Sequence, residues 1–120
     1  MSKEHQQIFA SAARTATATA TIPVDSSQGL FFINVTAVSA TPSVVFTIAG
    51  LDPIGSTAYT ILESAAITGT GLTVLRVSPQ LTAAANTIAK DMLPAAIKVT
   101  ATHADADSIT YSMGFIGCDD

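Results

Sequence analysis

His103, Asp105 and Asp107 stand at alternate positions. On an extended backbone they would aim one imidazole and two carboxylates the same way, a donor set that suits a divalent metal. No second ligand cluster accompanies them to complete a site. The stretch is also rich in turn formers and bounded by strand patterns, and aspartates in turns accept hydrogen bonds from nearby amides. A polar turn is therefore the expectation, with metal binding the lesser reading. Ser108, His103 and Asp105 contain the group types of a nucleophilic triad. Triad members meet through the fold and need an oxyanion hole, however, and no Gly-x-Ser-x-Gly elbow is present. Cys118 has no activating neighbours and is expected to be inert. Neither Gly69-Thr70-Gly71 nor Gly114-Phe115-Ile116-Gly117 is followed by the lysine or helix start of a phosphate cradle. The expectation is a protein without enzymatic activity, catalytic residues or cofactor.

Three further features read as structural. Glu63 has Arg76 as its nearest downstream cation, and a cross-strand ion pair between them would be worth under about 1 kcal/mol if exposed. Asn34-Val35-Thr36 fits a glycosylation sequon but lies inside a strand pattern, where it reads as chance. Phe31, Phe32, Phe46, Tyr59, Tyr111 and Phe115 could form a sugar-stacking platform, yet they alternate with other apolar residues as core side chains do.

The elements that must position these groups are strands. Arg14 to Ile22 alternates strictly, which places the threonines on one face and the small apolar residues on the other. Phe31, Ile33, Val35 and Ala37 oppose Phe32, Asn34, Thr36 and Val38 in the same way, and Val44, Phe46 and Ile48 continue the pattern after a turn at Thr41-Pro42-Ser43. Asp52-Pro53-Ile54-Gly55-Ser56 reads as a loop in which glycine takes the left-handed backbone angle. Strands follow around Tyr59–Glu63 and Leu72–Val77. Gln80 to Met92 reads as a long connection with a short strand near Ile88. The segments Ile97–Thr102 and Ile109–Phe115 read as a hairpin closed by the polar loop between them. Together these give an all-β, single-domain antiparallel sandwich or barrel of about seven to eight strands.

Residues 1–13 differ in kind, with no obvious partner strand. They read as an N-terminal arm, leaving 14–120 as the β-sandwich domain. The arm's expected role is to become ordered against a neighbouring subunit, with Ile8 and Phe9 as apolar anchors and Arg14 beside them at the interface.

Composition narrows the function. The chain has 120 residues, of which 48% are hydrophobic and only 12% charged, with a net charge of -4. That balance argues against nucleic-acid binding, which needs a basic stripe, and against extensive disorder. No run of about 18 apolar residues is present, so no membrane helix is expected. The first residues lack the build of a secretory signal, and the single cysteine makes no internal disulfide. Ser26 to Leu51 contains no charged residue. A small monomer ordinarily keeps a more charged surface, so docking against other chains is the economical reading.

Four segments carry a resemblance: Val35-Thr36-Ala37-Val38-Ser39-Ala40-Thr41-Pro42-Ser43, Gly50-Leu51-Asp52-Pro53, Ala89-Lys90-Asp91-Met92-Leu93-Pro94 and Thr102-His103-Ala104-Asp105-Ala106-Asp107-Ser108-Ile109-Thr110-Tyr111-Ser112-Met113-Gly114. They resemble a recurring small virion protein of tailed bacteriophages. The resemblance implies a virion structural role. Among such roles a capsid decoration (cement) protein fits best, a small β-rich module that binds and stabilises the head shell, often as a trimer. Implied partners are the major capsid protein and further copies of the chain. The implied location is the outer surface of the capsid, after assembly in the bacterial host cytoplasm. A tail, neck or fibre component is the alternative, as is a surface carbohydrate- or metal-binding module.

Overall fold

The computed structural model describes residues 3–118, so Met1 and Ser2, at the tip of the expected arm, and Asp119 and Asp120 lie outside the described residues. Nine strands are present among the described residues: β1 Lys3–Arg14, β2 Ala18–Pro23, β3 Gln28–Val38, β4 Val44–Leu51, β5 Ala58–Glu63, β6 Gly71–Val77, β7 Ile88–Ala89, β8 Ala96–His103 and β9 Ile109–Cys118. No helix long and apolar enough to cross a membrane occurs among the described residues.

The strands form two stacked sheets, ordered β1-β9-β3-β6-β7 and β2-β8-β4-β5. Apart from the parallel β6–β7 contact, every neighbour is antiparallel. The pairings β1–β9, β2–β8, β3–β6 and β4–β5 are nested, so the chain is one long folded-back ribbon with the β4–β5 turn at its tip. Successive rungs of that ribbon alternate between the sheets, and the β3–β9 and β4–β8 pairings close it. Set aside the two-residue β7, and this is an eight-stranded jelly roll.

The two-residue alternation explains the core. Phe31 and Ile33 on β3, Phe46 and Ile48 on β4, Leu75 on β6, Ile97 and Val99 on β8, and Tyr111 and Phe115 on β9 fill the space between the sheets. Rings meet there at favourable angles: Tyr111 is edge-on to Phe46 at 5.0 Å and to Phe9 at 5.9 Å. Gly117 makes room for one of them, since a methyl group there would approach Phe115 Cζ and Ser26 Cβ to 2.6 Å.

Several expectations need correction. Residues 3–14 are not an arm but β1, an edge strand paired along β9. The sequence hid this because the alternation breaks at two register shifts, between Gln7 and Phe9 and between Phe9 and Ala12. Each inserts an extra residue in β1, as a β-bulge does. The first lets consecutive Ile8 and Phe9 both turn inward, 8% and 6% exposed.

The β8 and β9 segments do not form a hairpin, since they lie in different sheets and residues 104–108 cross between them. Glu63 on β5 and Arg76 on β6 are likewise in different sheets, and the Glu63 carboxylate instead accepts from the Thr47 hydroxyl at 3.2 Å. In the β4–β5 loop the left-handed residue is Ser56, at φ 57°, rather than Gly55. Asp52 makes that possible by accepting from the amides of Ile54 and Gly55. The short strand expected near Ile88 is β7.

Candidate interaction surface

The outward faces of the two sheets differ in chemistry. On the five-stranded sheet, the register sets His5, Ile116, Leu30, Arg76 and Ile88 side by side. The next outward row is Gln7, Gly114, Phe32 and Val74, and the one after it Ser112, Asn34 and Leu72. Antiparallel partners point to the same side, so Leu30, Phe32, Val74, Leu72 and Ile116 form one apolar field. Leu72 is 61% exposed, and the other four are half-buried at their sheet positions. Only His5 and Arg76 bring ionisable side chains to these rows. Gly114 leaves a hollow of about 450 Å³ beside Phe32 and Ile116. A second groove, about 370 Å³, runs from Ile116 past Leu30 to Leu81 and Cys118.

The opposite sheet is polar. Thr19, Thr100, Thr47 and Glu63 form one outward row, and Thr21 with Lys98 lies beside it. The alternating threonines of β2 supply this face, while Ala18, Ala20 and Ile22 pack on the core.

The residues singled out by chemistry sit elsewhere. His103, at the end of β8, turns inward: its Nε2 lies 3.1 Å from the Tyr111 hydroxyl and its buried Nδ1 has no partner. Burial depresses its pKa below the ordinary histidine value, Arg14 lowers it further, and Asp105 partly opposes both. Asp105 Oδ1 accepts from the Asp107 amide at 3.0 Å. The Asp107 carboxylate accepts from the Thr41 amide and hydroxyl at 3.2 and 3.4 Å, tying the β8–β9 crossing to the β3–β4 crossing. The two aspartates thus serve turn structure, while His103 packs against Tyr111. Among the described residues, no group of three or more His, Cys, Asp or Glu is arranged to hold a metal ion. Cys118 is a free, half-buried thiol at the end of β9.

The expected interface residues are consumed within the chain. Ile8 and Phe9 belong to its own core. Arg14 caps the second β1 irregularity: Nη2 donates to the Ala10 carbonyl at 2.7 Å, and Nη1 to the carbonyls of Tyr111 at 2.9 Å and Ala12 at 3.2 Å. Its guanidinium also lies over the rings of Tyr111 and Phe9. At the other end of β1, Gln6 reaches the Pro23 carbonyl, and Glu4 accepts from the Asp25 amide and the Ser26 hydroxyl. Burial pushes the Glu4 carboxyl up, but its bonds to Ser26, Gln6 and Asp25 outweigh this and leave its pKa lowered.

The apolar field was the surface that sequence reasoning missed. Its signal lay in strands apolar at both parities, such as Leu30 and Phe32 outside Phe31 and Ile33. No family model matches the chain, and no curated protein matches it. A chain in the structure of infectious bursal disease virus, Gx strain, is similar over 95% of this chain at 14% identity, with a TM-score of 0.42. This chain spans 29% of the length of that one.

Proposed function

We infer that this protein is a virion structural component, a bacteriophage capsid decoration (cement) protein that seats on the head shell. The single observation that carries the reading is the apolar, nearly uncharged outer face of the five-stranded sheet on a jelly roll whose interior is already filled. Jelly rolls host shell-building, sugar-binding and cupin domains, so the fold alone does not choose among them. A cupin-type interior site needs hollow space and ligands, whereas Phe31, Phe46, Tyr111 and Phe115 occupy the middle here. A docking face needs what Leu30, Phe32, Leu72, Val74 and Ile116 offer, contiguous apolar area with little charge to desolvate.

In this reading the docking face replaces the arm as the contact to the major capsid protein. The homo-oligomer, with a trimer as the expected form, presents the threonine-lined sheet to solvent on the outer capsid surface after assembly in the host cytoplasm. Multiple weak contacts per oligomer raise occupancy. The test is copy number per particle with a labelled chain. Label over the whole head supports decoration, while six or twelve copies on about one ring would move the protein to neck or tail. Absence from particles would remove the virion reading altogether.

A further inference from the structure

The two sheets end in four edges, and three of them are closed to pairing. β1 is broken by two irregularities, with Arg14 bonded to the carbonyls of Ala10 and Ala12, Gln6 bonded to the Pro23 carbonyl at the end of β2 and Glu4 accepting from the Asp25 amide. β7 is two residues long. β5 pairs with β4 across a register shift and ends in the charged Glu63. These are the devices that keep sheet edges from joining other chains.

β2 lacks them from Ala18 to Ile22, and only its last residue, Pro23, is blocked, having no N–H and a carbonyl that accepts from Gln6. Its pairing with β8 runs without a shift from Ala18 to Pro23, and no charged residue occurs from Thr15 to Val24. The Val24 amide donates to the Ala95 carbonyl at 2.8 Å, continuing the β2–β8 register. Antiparallel ladders alternate, so the backbone groups of Ile22, Ala20 and Ala18 face β8 while those of Thr19 and Thr21 face outward. The donors and acceptors of Thr19 and Thr21 therefore stand along an open, neutral edge that stops at Pro23.

We propose that β2 is a self-pairing edge, joining a second copy of this chain through its own β2 about a two-fold axis at Ala20. The strand is complementary to itself in that register. Thr19 meets Thr21 of the other copy, the two exchange N–H···O=C bonds, and the symmetric pair does the same. The threonine side chains then form cross-strand pairs on the outward face, and no like charges are opposed within the strand. The two four-stranded sheets become one continuous sheet. The contact rests on edge geometry and not on the virion reading. It is compatible with a trimer held by other surfaces, because a two-fold link joins neighbouring trimers.

The register makes a discriminating test. Hydrogen-bonded antiparallel partners have Cα atoms about 5.5 Å apart, within disulfide reach. In a background carrying Cys118→Ser, an equimolar mixture of Thr19→Cys and Thr21→Cys is expected to form a disulfide-linked dimer with oxidised glutathione. Either variant alone should yield little, because residue 19 faces 21 and not itself. Both positions are exposed, and thermal melting confirms that each variant folds. On the unmodified protein, the Thr19 and Thr21 amides should become protected from hydrogen exchange as concentration rises. Equal cross-linking in all three samples, or none, overturns the proposal. So does exchange at these amides that is independent of concentration, and so does a β2 edge found paired with β5 of another copy.

Discussion

The Arg14 guanidinium sits 4.5 Å from the centre of the Tyr111 ring while donating to the Tyr111 backbone carbonyl at 2.9 Å. One side chain thus fastens the irregular end of β1 to its ladder partner β9. Replacing Arg14 by alanine removes the ring contact and leaves the carbonyls of Ala10 and Ala12 to water. The expected loss is about 1–3 kcal/mol in urea unfolding. Arg14→Lys should recover little of it, because an ammonium lacks the planar fork that reaches several carbonyls at once. Full rescue by lysine would show that charge alone matters there.

Truncation separates a strand from an arm. Ile8 and Phe9 lie in the common core, so removing residues 1–13 exposes the flank of β9 and the ring of Tyr111. Such a chain should lose its cooperative thermal transition rather than fold normally with a weakened contact. The milder Ile8→Ala is expected to cost about 2–5 kcal/mol, read from denaturant midpoints. A truncated chain that melts like the full one would contradict the placement of β1.

Acid should act first at His103. Its pKa is depressed in the folded protein, so the unfolded chain binds a proton more readily, and stability rises with pH across that window. Stability is level above the ordinary histidine value of 6.5 and falls as pH drops from there toward the folded value. The neighbouring groups are Arg14, Asp105 and the Tyr111 hydroxyl, and a charged imidazole would face Arg14. Melting temperature followed downward from neutral pH should therefore decline in the wild type and stay flatter in His103→Gln. Parallel curves would rule out His103 as the source.

Glu4 titrates in a lower window with the opposite group type. Its lowered pKa contributes stability above the ordinary carboxyl value, and that contribution is lost as pH falls through the folded value. Glu4→Gln should abolish this part of the acid response and weaken the tie to Asp25 and Ser26. Amide exchange at Asp25 is the direct readout.

The outer face offers a separation of folding from binding. Leu72→Lys changes a largely exposed side chain and should alter stability by within about 0.5 kcal/mol. If the apolar field is the docking face, the same substitution reduces co-sedimentation with capsids at least several-fold. Undiminished capsid binding would move the contact to another surface.

Period-two alternation carried the strands and their faces, because it survives wherever one side of a strand is buried. It made Phe31, Phe46, Tyr111 and Phe115 legible as core. It could not assign a strand to a sheet, since β8 and β9 alternate identically whether they pair or cross, and a five-residue loop permits either. It also failed at β1, where an extra residue at Ile8 shifts the parity partway along the strand. The sequence reads His103 as part of the polar loop after Thr102, whereas it is the last residue of β8. Its inward turn depended on Tyr111 and Arg14, which only the closed fold brings beside it.

The nesting of β1 against β9 has a kinetic corollary. The earliest described strand to leave a ribosome has its only ladder partner at the far end of the chain, about a hundred residues later. Until that segment emerges, Ile8 and Phe9 have no completed pocket, so the nascent chain carries a sticky, half-dressed flank throughout translation. Topologies of this sort mature slowly, with aggregation as the competing fate. Synthesis rate and chaperone supply, more than any single contact, should therefore set how much of the protein reaches its final form.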